Sequence, residues 1–460
     1  MVNEKNSRKI TEPAREIDVY LEADVVVVGG GPGGHSAAVA AARNGARTVL
    51  IERYGHLGGM ATGGIVIQIP HMSDGTSEQQ IAGLCQEWLD RLDRVGGNLS
   101  PDRKDIGSRD EKLVSKWRRF MGNVRDGRIE YTAWVDPELL KCVLNDMVED
   151  AGVILSLHSW GTRAVTEKDK VRGVFFESKS GRQAVLGKII IDGTGDGDLL
   201  PSAGAGFDAT LDPKRRSSML ALVFRLGNCD YQKLCDFREE NPEKFGELME
   251  KLAGEAGTRL LPLPSPRNDV VWVNNWIPGL DCLNVADLTK LEVKMRKMML
   301  KGHAFLKKHV PTFENSFILD TASQSGTRGS RRLIGEYTLT EEDLRSGKKF
   351  DDTIAVIPRF GPPGGPPAET RHTYIPYRCL VPEKMDGLLV AGRSFSSDLA
   401  ANDMTNLIPH CIAMGEAAGT ASALAVKQGI QPRQVDFREL QESLLRNGAL
   451  LPGIEIKSLT

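Results

Sequence analysis

The segment "ADVVVVGGGPGGHSAAVAAARNGARTVLIER", residues 23–53, constrains the fold more than any other part of this chain. Its run of valines has no polar alternation, so it predicts a strand over Asp24–Val28 buried on both faces, as in a parallel sheet. A glycine loop follows, then small residues at helical spacing, then a second apolar strand that ends at Glu52. This is one complete βαβ unit. Gly29, Gly31 and Gly34 fit G-x-G-x-x-G: the first makes the turn, the second lets a pyrophosphate approach the backbone, and the third packs helix on strand. Pro32 and Gly33 lie in the same turn, where free N–H groups and the helix dipole face phosphate charge. Glu52, with Arg53 beside it, stands where an acid meets a ribose hydroxyl pair, and its charge disfavours a 2′-phosphate. The unit predicts a dinucleotide site. His35, just past the glycines, reads as a packing or capping residue.

With 460 residues the chain exceeds what one core usually serves, so two joined domains are expected. Lys+Arg number 59 against Asp+Glu 61, a net charge of −2, which provides no global field for nucleic acid or an anionic membrane. Small-molecule partners are favoured. No leader-like apolar region opens the chain, and no window is apolar enough for a membrane span, so a soluble cytoplasmic protein is expected. Seven cysteines with no C-x-x-C pair read as reduced core thiols. Asp192, Asp196 and Asp198 lack further ligands at metal spacing, so no metal is expected.

Beyond the ribose acid, "GHLGGMATGG" offers Gly58, Gly59, Met60, Ala61 and Thr62 as a backbone wrap for a cofactor longer than one nucleotide. With this element the chain resembles the FAD-dependent oxidoreductase family of the glutathione-reductase-like flavoproteins, a superfamily with two dinucleotide-binding domains, and is related to fumarate-reductase-type flavoproteins. Further motifs extend the resemblance: "TASQSGTRGSRRLIGEYTLTEEDL" looks like an R-x-S-R-R run with Gly329 where an acid is usual, and "YIPYRCLVP", "GLLVAGRS" and "MGEAAGTASALAV" look like the closing segment. The resemblance implies an α/β fold with an FAD-binding Rossmann domain and an inserted α+β substrate domain. It divides the chain into an extension (1–22), FAD-binding parts (23–70, 134–206 and 375–430), substrate-side insertions (71–133 and 207–374) and a C-terminal helical segment (431–460). It places Trp160, Gly161 and Thr162 by the adenine, Thr194 and Gly195 by the adenosine, and Gly392 and Arg393 at the pyrophosphate or ribityl chain.

No second strand with G-x-G-x-x-G occurs mid-chain and no C-x4-C follows the first glycines, which argues against an NAD(P)H domain and against disulfide reduction. "WVNNWIP" lacks the tryptophan spacing of flavin halogenases and reads as an aromatic strand or loop. Chemistry is expected near the end of the chain, where Asn402, Asn406, Leu407 and Ile408 precede a helix of small residues whose N–H groups can face the electron-rich flavin edge. Relatives often carry arginine where this chain has Asn406. Gly415, Gly419 and Ala423 recur every four residues and allow close packing. His372, His71 and His410 are candidate acids or bases, with Tyr374 beside the first. Arg328, Arg331 and Arg332 read either as forks for a carboxylate substrate or as buried ion pairs. Cys379 and Cys411 read as core residues. The expectation is hydride transfer between a small metabolite and FAD, as a dehydrogenase, oxidase or C=C reductase, with oxygen, a quinone or a redox protein as electron partner. Monooxygenation or halogenation, a non-catalytic electron-transfer subunit, and a homo-oligomer stay open.

Overall fold

The computed structural model describes residues 9–358 and 372–455, so the "RFGPPGGPP" break lies outside the described residues. Strand β1 (Val19–Val28) turns through glycine into helix α1 (Pro32–Arg43) and β2 (Thr48–Ile51). Strands β3 (Ile154–Ser156), β4 (Trp160–Glu167), β5 (Lys170–Ser178), β6 (Gly181–Asp192) and β7 (Leu388–Val390) complete a seven-stranded sheet. Its order is β3-β2-β1-β6-β5-β4, with β7 on the C-terminal part of β6. The pairs β3–β2, β2–β1, β1–β6 and β6–β7 are parallel, whereas β4, β5 and β6 form an antiparallel meander. β1 begins at Val19 rather than Asp24 because β6 is long enough to pair with it back to Ala184. Valine-only burial is confined to Val25–Val28, the part that the sequence pattern made visible.

Helix α2 (Ile408–Gln428) lies against α1 at backbone contact. A Cβ at Gly415 would stand 2.0 Å from the Gly33 carbonyl oxygen, and one at Gly419 would stand 2.1 Å from that of Ala37. The four-residue spacing of small side chains is therefore what lets the two helices touch. Before α2 the segment expected as a loop is itself helical over Leu399–Thr405, because the Asp398 side chain caps it by accepting from the Ala401 N–H. Asn402 thus sits within a helix.

Residues 207–374 contribute a four-stranded antiparallel sheet in the order Leu260–Leu263, Val270–Asn275, Phe224–Gly227 and Phe317–Thr321. The 25-residue helix Val285–His309 follows Ile277–Pro278, which pairs with Met219–Ala221, and Met219–Ala221 pairs in turn with Gly326–Thr327. In "WVNNWIP" Trp272 is a buried strand residue, and Trp276 lies between two strands. Among the described residues no helix is long and apolar enough to cross a membrane.

Candidate active site

A parallel sheet offers its ligand-binding crevice at the carboxyl ends of its strands. Here a cavity of about 500 Å³ runs along that edge, past the turns that follow β2, β1, β6 and β7. Gly29, Gly31, Pro32, Gly33, Glu52, Arg53, Gly59 and Met60 line it from the first part of the chain. Trp160, Gly161, Thr162, Thr194, Gly195, Gly392, Arg393, Asn406 and Ile408 line it from later parts. Arg53 lies over the rings of Tyr54 and Trp160, 4.9 and 5.8 Å from their centroids, so an aromatic and cationic platform closes the β2 end. Tyr54 was not singled out in the sequence, although it adjoins the acid.

Six expected cofactor residues do not reach the cavity wall. Gly34 packs under Gly29 and Gly193, where a Cβ would meet the Gly29 oxygen at 1.8 Å. Gly58 has φ +94° and makes the loop turn, Ala61 is fully buried, and Thr62 donates its hydroxyl to the Leu57 carbonyl. Leu407 is the N-cap of α2. The Asn402 amide is spent inside the protein, donating to the Arg393 carbonyl at 2.9 Å and to Ser397 Oγ at 3.1 Å. Its helical setting, invisible in the composition of "NDMTN", is what turns it inward.

Arg393 is no surface residue. It donates to Asp196 Oδ1 at 2.6 Å and to the Thr327 carbonyl at 2.8 Å, and its buried Nε has no partner among the described residues. Burial works to raise the Asp196 carboxyl, but the Arg393 charge and the Ser330 hydroxyl outweigh it and hold the acid below the usual range. Asp192 instead accepts from Thr194 and Leu199, and Asp198 pairs with Arg331 at 3.1 Å. Burial, with Asp196 and Asp192 nearby, pushes Asp198 up to about 6. Asn406 accepts from Arg216 at 2.7 Å and donates to the Arg328 carbonyl at 2.8 Å. Thus a guanidinium stands beside Asn406, supplied by Arg216, a residue that carried no signal in the sequence because it is remote in the chain.

The arginine run divides. Arg331 and Arg332 are ion-paired, the latter with Asp208 while also donating to the Thr210 carbonyl, and Arg332 is almost fully buried. Gly329 fits because a Cβ there would lie 2.8 Å from the Ser217 carbonyl oxygen. Arg328 stands in a different environment, its guanidinium against the Trp276 ring.

The histidines separate as well. His372 pairs with Asp74 at 2.9 Å, and Tyr374 is buried with the Lys349 ammonium 5.6 Å from its ring centre; neither lines the cavity. These two were expected at the site because they precede a returning strand, but that strand pairs with Thr353–Ile357 away from it. His410 is fully buried and lies off the wall; burial, reinforced by His71 and Arg216, pushes it down to about 3, which unsuits it to proton transfer near neutrality. Among the described residues neither ring nitrogen has a hydrogen-bond partner. His71 is held in the left-handed region at φ +57°, and its Nδ1 meets the buried carboxylate of Glu130, which Arg125 pairs at 3.1 Å. Glu130 and Arg125 carried no signal in the sequence. His35 packs against Trp88 and reaches the Leu144 carbonyl at 3.2 Å, in keeping with its packing role. Both cysteines are buried; Cys411 reaches the cavity wall and burial pushes it up to about 12.

Comparison with known proteins decides the family. A model of FAD dependent oxidoreductases matches residues 24–444. The chain belongs to this family. No curated protein sequence matches it. Among solved structures, a geranylgeranyl bacteriochlorophyll reductase-like protein from Thermoplasma acidophilum is 15% identical, over 94% of this chain and 85% of its own, at a TM-score of 0.48. The p-nitrophenol 4-monooxygenase PnpA from Pseudomonas putida is 12% identical, over 92% and 84%, at 0.45. The myxobacterial chondrochloren halogenase CndH is 13% identical, over 93% and 79%, at 0.43. Likeness at this level assigns no reaction.

The FAD-dependent oxidoreductase is thus an enzyme whose cofactor is FAD, on a mixed α/β fold with a Rossmann-like sheet. Its residues fit that group. Gly31, the N-cap of α1, makes no side-chain capping bond, so the first N–H groups of the helix are left for an anion. Space above Gly31 is open, the nearest atom to a Cβ there being 4.0 Å away, whereas Gly33 closes to 2.9 Å from the Ala391 oxygen. Glu52 is buried at the β2 end, accepting from the Gly30 and Tyr54 N–H groups, and burial raises its carboxyl despite those bonds.

Proposed function

We propose that this oxidoreductase moves hydride between a carbon of a small organic metabolite and FAD, in a glutathione-reductase-like fold related to fumarate-reductase-type flavoproteins. Bound FAD supplies hydride chemistry at its N5 atom. The reading is carried by one observation: the cavity is continuous from Glu52 and Trp160 to Asn406 and Ile408 at the start of α2. An extended dinucleotide fills such a path with its adenosine by the acid and its redox end by α2. Glu52 would hold the ribose, the Gly31 and Gly33 N–H groups the pyrophosphate, and the α2 N-terminus the electron-rich edge of the ring. Residues 71–133 and 207–374 would then face the substrate.

For proton transfer we favour His71, which like the other histidines does not line the cavity, because a buried carboxylate orients its ring. The electron partner is proposed to be oxygen, a quinone or a redox protein, since the sequence has no second nucleotide fingerprint. The purified protein should be yellow and should bleach anaerobically with one member of a metabolite panel. Glu52→Ala should weaken FAD retention about tenfold or more by removing the ribose acceptor. A protein that stays colourless after FAD is added refutes the reading. Rapid NADPH consumption that needs both substrate and oxygen would move the assignment to monooxygenation or halogenation.

A further inference from the structure

Charges that a protein shields from water are usually paired, and Arg328 is a partly buried cation without an anion. Three arginines meet near Asn406: Arg216 donates to its side-chain oxygen, the Arg328 carbonyl accepts from its amide, and Arg393 donates to the adjoining Thr327 carbonyl. Arg393 has Asp196, and Arg216 has Asp403, whose carboxylate also accepts from the Arg216 and Ser217 N–H groups. Arg328 has neither. Among the described residues its guanidinium makes no hydrogen bond and no salt bridge, and it lies over the Trp276 ring, 5.6 Å from the centroid. The cluster therefore carries one surplus positive charge.

We propose that Arg328 anchors a carboxylate of the substrate, held over the face of Trp276 beside the Asn406 end of the cavity. This rests on the flavin reading above for the position of the redox centre. The small three-stranded sheet builds the site. Leu220 pairs with Ile277 on one side and Thr327 on the other. Trp276 and Arg328 each adjoin those partners just outside the strands, and their side chains meet with the guanidinium 5.6 Å from the ring centroid. The Arg328 carbonyl is tied to Asn406 and the Thr327 carbonyl to Arg393, and Thr327, Asn406 and Arg393 all line the cavity. The Arg328 backbone is thereby held next to cavity-lining residues, with its side chain against Trp276 just behind that wall.

The chemistry selects a monoanion. Three guanidinium charges face two carboxylates, so one further negative charge balances the group and a phosphate dianion overshoots. A planar carboxylate also matches the arginine fork in two parallel hydrogen bonds. Buried, unpartnered donors occur on the same elements: the hydroxyls of Ser217 and Ser218 and the indole N–H of Trp276. Burial, then the charges of Arg216 and Arg393, bring Arg328 down to about 9, the state of a cation short of an anion.

The test titrates the FAD-loaded protein with benzoate, benzamide and inorganic phosphate, reading the flavin difference spectrum and tryptophan fluorescence together. Benzoate should bind saturably and at least tenfold more tightly than benzamide or phosphate. Arg328→Gln should weaken benzoate at least tenfold while FAD stays bound, and Arg328→Lys should lose less. Equal binding of benzoate and benzamide, tighter binding of phosphate, or an unchanged benzoate affinity in Arg328→Gln overturns the proposal. Should Arg328→Gln fail to fold, the benzoate and benzamide comparison and Arg328→Lys decide. A protein without flavin would refute the function proposed above, while the tryptophan signal would still report on the anion site.

Discussion

Glu416 is the one carboxylate inside the small-residue helix, and it is almost fully buried. It accepts from the Leu84 N–H at 3.0 Å, and burial pushes it up to about 8 against an ordinary value of 4.5. The folded protein therefore keeps a proton that the unfolded chain releases. Stability tied to this group is complete below about 4.5 and is lost as pH rises toward 8. Glu416→Gln retains the acceptor and removes the ionisation, so it should raise stability by on the order of a few kcal/mol at pH 8 and by little at pH 4.5. Denaturant melts of both proteins across this range check it, and parallel pH curves would refute it. Legibility at this scale was uneven. Glu52 announced itself by its place after a strand, whereas the partners of Arg393, Arg328 and His71 did not, because Asp196, Trp276 and Glu130 are set by pairings across the fold.

At the scale of elements, the G-x-x-x-G spacing of Gly415 and Gly419 is legible in the sequence itself, because i and i+4 share one helix face. What it packs against is not: the partner is α1, which follows the glycine turn on the cavity wall. The consequence is that α2 sets the position of the glycine loop. Gly419→Leu must push its side chain into the Ala37 backbone, and should cost about 1–3 kcal/mol or more by overpacking. It should also loosen FAD, which equilibrium dialysis of the variant measures; a stable variant with native FAD affinity would show that the helices can part freely. The segment before α2 shows the opposite case. "NDMTN" has turn-like composition, yet the Asp398 cap and the alanines after it make a helix, and the Asn402 amide turns inward.

At the scale of the whole molecule, the cavity walls come from residues 28–60, 159–198, 282–331 and 391–411, so FAD would join segments that are far apart in the chain. Stripping flavin should lower the melting temperature by several degrees, and adding FAD at a thousand times its dissociation constant should restore about 4 kcal/mol. Differential scanning calorimetry with and without FAD checks this; coincident transitions would mean that the cofactor spans no structural seam. The sequence alone determined the βαβ unit, its glycine turn, the acid after β2 and the small-residue helix, because each is written in local spacing and in the backbone freedom of glycine. It could not determine which arginine is left unpaired, which histidine is oriented by a carboxylate, or where Asn402 points. Those depend on desolvation and on contacts between residues separated by tens to hundreds of positions, and only the tertiary structure brings such residues within hydrogen-bond distance.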